Sequence, residues 1–203
     1  MIYGVLPGKV TLEHWHRAVM THAYTHVKLN ELMQAFNYDA HPMGMFISSL
    51  AALSTFHPEA NPSLHGWDLY LRSPGLIEKQ IHRILGKSIT LAANAYRHRI
   101  GRSYNAPQMG IGFVENFMYM LDRQGDEQEY KPHPVLVEAM EKLFIIHAEH
   151  ELNCSCSTLR HIASSLCDPF SCVVGAAAAL YGPLHGGANE AVLEMLQEIG
   201  TVE

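Results

Sequence analysis

Residues 169–199 read PFSCVVGAAAALYGPLHGGANEAVLEMLQEI. Phe170 to Leu180 is apolar all round, the pattern of a helix buried in a core. Gly182 and Pro183 break that helix. Ala188, Ala191, Val192, Met195, Leu196 and Ile199 then recur at spacings of three and four, which is one face of a second helix. Helix, glycine loop and helix is an all-α grammar. The loop sets one histidine, His185, directly before a helix start.

The same periodicity extends outward from this stretch, with no sustained apolar–polar alternation of the kind strands show. Upstream, Ser157 to Cys167 forms a segment stopped by Asp168-Pro169. Pro134 suits a first helical position, and Leu136, Met140 and Leu143 follow on one face. Steps of four and three more reach His147 and His150, so the spacing predicts a buried face that ends in two imidazoles. Thr11 can cap a first helix running to about Phe36, with Leu12, Trp15, Val19 and Ala23 on one face. Met43 to Phe56 reads as a buried helix, and the Asn61-Pro62 neighbourhood as a turn. Pro74 can open a long helix ending near Arg99 to Gly101. Ile111 to Asp122 is helical, and Gln124-Gly125-Asp126-Glu127 reads as an exposed acidic turn. The sum is an all-α protein of eight or nine helices.

With 203 residues the chain is long enough for a sizeable core, and 48% hydrophobic with 17% charged residues is a globular composition. A net charge of −6 without a basic run argues against nucleic acid as a partner. Met1 to Lys9 lacks the regions of a signal peptide. The longest apolar run, Val173 to Tyr181, is interrupted by Gly175 and too short to cross a bilayer, so a soluble protein with no membrane partner is expected. Cys154, Cys156, Cys167 and Cys172 have neither paired zinc spacing nor the spread of a disulfide framework, and they read as reduced, buried core cysteines. Of fourteen histidines, His14, His16 and His22 sit on polar faces and read as solvated. No metal site is expected.

The chemistry concentrates on His185. Gly186 and Gly187 allow close backbone approach and positive φ. The positive end of the helix that follows disfavours imidazolium, so a neutral ring is expected, able to donate a hydrogen bond to a carbonyl that becomes an enolate. His147 and His150 could line a cleft and bind a carboxylate or keto oxygen, or be satisfied structurally by helix carbonyls, Ser155 or Ser157. Other chemistries lack their parts. The loop has neither the Lys and Ser/Thr of a P-loop nor G-x-G-x-x-G, there is no G-x-S-x-G elbow, and the histidine pair lacks the i, i+4 zinc spacing. A Cys154–His150 nucleophilic pair reads more simply as packing.

Together, His147-Ala148-Glu149-His150-Glu151-Leu152-Asn153-Cys154-Ser155, Ser164-Ser165, Asp168-Pro169-Phe170 and Gly182 to Ala191 resemble the citrate synthase family, closest to its bacterial and peroxisomal branch. Weaker similarity runs through Tyr38 to Met43 and Asn116-Phe117-Met118. The resemblance covers essentially the whole chain. It implies an all-α homodimer of large and small domains that condenses acetyl-CoA with oxaloacetate, with no cofactor or metal. His185 would hold the acetyl thioester carbonyl. His150 would bind oxaloacetate with His147 beside it, and Asn116 is a weaker pocket candidate. In the family a second histidine, an aspartate base and further arginines follow the H-G-G loop. This chain is therefore expected to be a piece carrying the partial large-domain core in 1–181 and the first small-domain approach in 182–203, inactive by itself. The resemblance leaves 2-methylcitrate synthesis from propionyl-CoA, or a non-catalytic helical dimerisation scaffold, as alternatives. A cytoplasmic location would follow from a bacterial source, and a mitochondrial or peroxisomal one from a eukaryotic source.

Overall fold

A computed structural model describes residues 2–125 and 129–201. Among them lie eleven α-helices, one 3₁₀ turn at Pro58–Ala60 and no strand, so the all-α reading holds. The helices are α1 (Lys9–Thr21), α2 (Val27–Gln34), α3 (Pro42–Phe56), α4 (Pro62–His65), α5 (Leu69–Arg72), α6 (Pro74–Arg99), α7 (Phe113–Asp122), α8 (Pro134–His147), α9 (Cys154–Ala163), α10 (Pro169–Leu180) and α11 (Gly187–Ile199). Prolines 42, 62, 74, 134 and 169 each begin one, where the missing N–H costs nothing. Part of the acidic turn at 124–127 lies outside the described residues.

The chain divides into two compact units. One comprises residues 1–49 and 71–149, and the other residues 50–70 and 150–203.

In the first unit α6 is the organising helix, burying residues on several sides including Ile89, Leu91, Ala93 and Ala95. Met20, Ala23, Ile89, Ala93, Tyr119 and Met120 form a continuous apolar cluster from α1, α6 and α7. The single first helix expected over 11–36 is two helices. It starts earlier, with Gly8 as N-cap in place of Thr11, and α1 ends at Thr21. The break is stabilised from α6. Lys87 Nζ donates to the carbonyls of His22 (3.1 Å) and Tyr24 (2.9 Å), and Thr90 Oγ1 donates to Ala23 O (2.7 Å). Those carbonyls would otherwise be unsatisfied at a buried helix end. Gly86 makes this approach possible, because a Cβ there would stand 2.4 Å from Val19 O. His22 is accordingly half-buried and not solvated. Burial first, and then the charge of Lys87, lower its pKa to about 4. His16 also has its Nε2 buried.

The far end of α7 is closed in the same manner. Arg97, 1% exposed, donates from its guanidinium to the carbonyls of Ser103, Leu121 (2.7 Å) and Arg123 (3.1 Å). Asn105 Nδ2 donates to Met120 O and Arg123 O, each at 3.0 Å. The face expected to be buried on α8 is not. None of its residues is buried, although Phe144 packs beside Phe113 and Phe117.

In the second unit α9 and α10 pack against each other. Gly175 lies under Ile162 and Thr158, with Ile162 Cδ1 2.1 Å from where a Cβ would stand. Asp168 caps α10. Its Oδ1 accepts from the N–H groups of Phe170 (3.0 Å) and Ser171 (3.1 Å), and its Oδ2 from the hydroxyls of Ser171 (2.6 Å) and Ser54 (3.2 Å). Phe170, 1% exposed, stacks on His57 at 5.1 Å. α10 is not buried all round, since only Phe170, Cys172 and Ala177 are. The core-cysteine expectation holds for Cys172 alone. Cys167 is half-buried, and Cys154 and Cys156 are exposed.

Candidate active site

The loop that presents His185 is tied to its own flanks by backbone hydrogen bonds. After α10 ends, His185 N donates to Gly182 O (3.0 Å), Gly186 N reaches back to Leu180 O (2.9 Å), and Gly187 N donates to Gly182 O (3.1 Å). α11 starts at Gly187. The glycines are needed for proximity and not for left-handed backbone: Gly186 has φ −68°. A Cβ at Gly186 would lie 2.1 Å from Leu180 O and 2.9 Å from Leu180 Cδ1. The expected positive φ is therefore replaced by a steric reason for the same residue.

His185 Nε2 lies 2.9 Å from Ser155 Oγ, and Ser155 Oγ lies 2.9 Å from Ala176 O. Ser155 sits in the first turn of α9, which begins where the side chain of Asn153 accepts from Cys156 N (3.0 Å). The α9–α10 packing brings this turn against the last part of α10, immediately before the H-G-G loop. A hydroxyl has one hydrogen to give. With it directed to Ala176 O, Ser155 accepts from Nε2–H. With it turned to Nε2, the ring's hydrogen sits on Nδ1, and that nitrogen becomes a donor. Ser155 thus selects whether the open side of His185 gives or receives a hydrogen bond. The sequence suggested Ser155 only as a partner for His147 or His150. A contact between residues thirty positions apart leaves no trace in local spacing.

The other candidates are placed differently. α8 ends at His147, and His150 lies beyond it, so the two rings do not continue one helical face. Both are exposed. His147 Nδ1 donates to Leu143 O (2.7 Å), because a carbonyl can only accept, which leaves Nε2 as the nitrogen available for other contacts. His150 lies in the second unit, in the segment before α9, and its carbonyl accepts from Asn153 Nδ2 (3.4 Å). Asn116 is fully buried. Its Oδ1 accepts from Gln108 N (3.0 Å) and its Nδ2 donates to Gln108 O (2.5 Å), so its amide holds the loop ahead of α7 and has no open face for a ligand. Around Asp168, burial raises the Cys172 thiol to about 11 and the Tyr70 phenol to about 12, with the Asp168 charge adding to both. Both groups stay protonated at neutral pH beside that carboxylate. No group of three or more residues suited to hold a metal ion occurs among the described residues. No helix among them is long and apolar enough to cross a membrane.

The family model described as citrate synthase, C-terminal domain, matches residues 1–203. A citrate synthase of Dictyostelium discoideum is 60% identical over the whole chain, which covers 39% of that protein. A peroxisomal citrate synthase of the same organism is 58% identical (41% covered), and a glyoxysomal citrate synthase of Cucurbita maxima is 52% identical (39% covered). The chain therefore spans about two-fifths of these curated relatives. Among solved structures, citrate synthase from Pyrobaculum aerophilum matches 98% of the chain and 48% of its own with a TM-score of 0.84 at 29% identity. At 22% identity, the Thermoplasma acidophilum citrate synthase, solved with carboxymethyl coenzyme A and oxaloacetate, shares the fold with the same TM-score. With the family model matching from end to end, this chain belongs to the citrate synthase family.

Proposed function

We propose that this chain serves in the condensation of acetyl-CoA with oxaloacetate to give citrate and CoA. The observation that carries the reading is the His185–Ser155 pair on the tied H-G-G loop. When the Ser155 hydroxyl turns its hydrogen from Ala176 O to Nε2, the imidazole offers its Nδ1–H to an acceptor. A thioester carbonyl becoming an enolate is an acceptor whose charge grows along the reaction, so this hydrogen bond strengthens where it lowers the barrier. The loop's backbone ties and the α9–α10 contact hold the ring before substrate arrives, which is what such stabilisation requires.

In this reading exposed His150, with His147 preceding it, binds the oxaloacetate. Asn116 supports the neighbouring loop. The methyl-proton base and the second catalytic histidine come from the family segment that follows the H-G-G loop, and residues 182–203 form the approach to the smaller domain. The reaction uses no metal or cofactor. A second subunit would pack on the larger domain's helices, including α10 (Pro169–Leu180), to give a homodimer. The peroxisomal and glyoxysomal names among the relatives favour such a compartment.

The test is CoA release by the full-length protein. The wild type should turn over with oxaloacetate and acetyl-CoA faster than with propionyl-CoA. His185→Gln should lower kcat by roughly 10²–10³. Undiminished turnover in His185→Gln would remove the basis of the assignment.

A further inference from the structure

The turn between α9 and α10 brings two thiols to one place. After α9 ends at Ala163, Leu166 takes left-handed backbone (φ 61°), its N–H donates to Ala163 O (2.9 Å), and the chain reverses into α10. Cys167 then stands immediately before the cap residue Asp168, and Cys172 four residues after it. Those are the two positions whose side chains meet across the first turn of a helix, where an apolar pair often packs. Both thiols lie against the same short piece of chain. Cys172 Sγ–H donates to Cys167 O (3.7 Å), and Cys167 Sγ–H donates to Asp168 Oδ2 (3.9 Å). Cys167 is half-buried and open to a small reagent, whereas Cys172 is buried. Cys154 and Cys156 lack this arrangement, because two residues apart at the start of α9 they diverge by about 200°.

We propose that Cys167 and Cys172 are a dithiol site that hydrogen peroxide converts to a reversible disulfide, stapling the start of α10. The pair lies outside the His185 contact, and the inference does not depend on the function proposed above. In the first step Cys167 gives up its proton, and its sulfur attacks one oxygen of the peroxide. The S–O bond forms, the O–O bond breaks, and the departing hydroxide takes up the proton as water, leaving Cys167 as a sulfenic acid. In the second step the Cys172 sulfur attacks the Cys167 sulfur. The S–S bond forms, the S–O bond breaks, and the hydroxide that leaves takes the Cys172 proton as a second water. The two thiols lose two electrons, the peroxide gains them, and an added dithiol reverses the bridge by exchange.

The two sulfurs take different parts because their surroundings differ. Cys167 meets the oxidant. Burial first, and then the neighbouring Cys167 and Asp168, raise the Cys172 thiol to about 11, so it does not react with peroxide by itself and serves only to close the bridge. The helix start survives the change. The four other bonds to Asp168, from Phe170 N, Ser171 N and the hydroxyls of Ser171 and Ser54, involve neither sulfur. The bridge closes a ring over residues 167–172 and restricts the unfolded chain, so the oxidised protein should melt at a higher temperature than the reduced one.

The experiment treats the reduced full-length protein with hydrogen peroxide, blocks the remaining thiols with iodoacetamide and maps tryptic peptides by mass. Cleavage after Arg160 puts Cys167 and Cys172 on one peptide and Cys154 and Cys156 on another. The expected result is that the first peptide loses two hydrogens, takes no label, and regains both thiols with dithiothreitol, while the oxidised protein shows a raised melting temperature. Cys172→Ser, folded as judged by its own melting curve, should carry Cys167 on to a sulfinic acid that dithiothreitol does not reverse. Cys167→Ser should leave Cys172 reduced at the same dose. The proposal is overturned if both thiols stay labelled at a dose that oxidises Cys154 or Cys156, if wild-type Cys167 reaches the sulfinic acid with Cys172 still free, or if Cys172 is oxidised as readily in Cys167→Ser as in the wild type. Because every readout is chemical or thermal, failure of the condensing assignment in the CoA-release assay would leave this result standing, and the reverse holds too.

Discussion

Ser155 holds His185 by a 2.9 Å contact from Oγ to Nε2 while standing at the same distance from the carbonyl of Ala176. The hydroxyl donates to Ala176 O and, with its hydrogen so placed, accepts from Nε2–H. Removing the hydroxyl by Ser155→Ala takes away the tautomer preference and leaves the ring free to turn. A single neutral hydrogen bond contributes about 1 kcal/mol, and the full-length variant should lose about fivefold in kcat, since 1.4 kcal/mol corresponds to a factor of ten. KM for oxaloacetate should change much less, because Ser155 touches the histidine and not the keto acid. A purely structural role would show equal losses in kcat and thermal stability, so steady-state kinetics and a melting curve on the same sample separate the two.

Gly186 and Gly175 look alike by the position of a missing Cβ, with 2.1 Å to the nearest atom in each case, yet their neighbours differ in kind. At Gly186 the obstacle is the carbonyl oxygen of Leu180, which also accepts from Gly186 N and cannot retreat without breaking that bond. Gly186→Ala should destabilise by about 1–3 kcal/mol, as overpacking against a fixed group does, and should abolish the His185-dependent rate. At Gly175 the obstacle is the terminal methyl of Ile162, which can rotate. The helix-interior gain of alanine over glycine, about 0.5–1 kcal/mol, offsets the repacking, so Gly175→Ala should be close to neutral. Paired denaturant titrations decide it, and equal losses in the two variants would contradict the distinction.

Helix type and several helix starts were legible because local chemistry dictates them. Proline at the first position and the three-and-four spacing of α11 need only neighbours in sequence, whereas α9 starts at Cys154, behind the Asn153 cap, and not at Ser157. The misreadings share a different cause. The break between α1 and α2 depends on Lys87 and Thr90, more than sixty residues away, donating to carbonyls that an isolated helix would have bonded itself. The α8 stripe is apolar, but its periodicity cannot state what covers it, and within this chain it remains exposed. His185 was found because glycine, proline and histidine cluster in sequence. Ser155 was not tied to it, because that contact is made by the packing of α9 on α10.

Proton removal from the acetyl methyl group needs a positioned base. In the proposed reading that base follows the H-G-G loop, and the residues described here supply the rings of His185 and His150. The purified 203-residue chain should therefore release no CoA from acetyl-CoA and oxaloacetate above background, whereas the full-length protein should. A thiol-trapping assay run on both at equal concentration checks this. Turnover by the short chain would mean that a base lies within these residues and that the assignment of roles is wrong.

Lys87 offers a prediction with a defined sign. Burial first, and then the charge of Arg83, lower its pKa from the usual 10.5 to about 8. The folded state therefore binds fewer protons than the unfolded state between pH 8 and 10.5, so this group's contribution to stability rises as pH increases across that window and is lost as pH falls back through 8. Other groups titrate in the same range, so the quantity to measure is the stability difference between wild type and Lys87→Met. At neutral pH the variant should still be the less stable, by roughly 1–3 kcal/mol, because two buried carbonyls, those of His22 and Tyr24, lose their donor. That deficit should widen from pH 8 to 10.5 as the wild-type amine sheds its costly charge and keeps its two donated hydrogens. A deficit that is constant or shrinks over the window would show that Lys87 is not desolvated in the fold, and that the α1–α2 break is held by some other means.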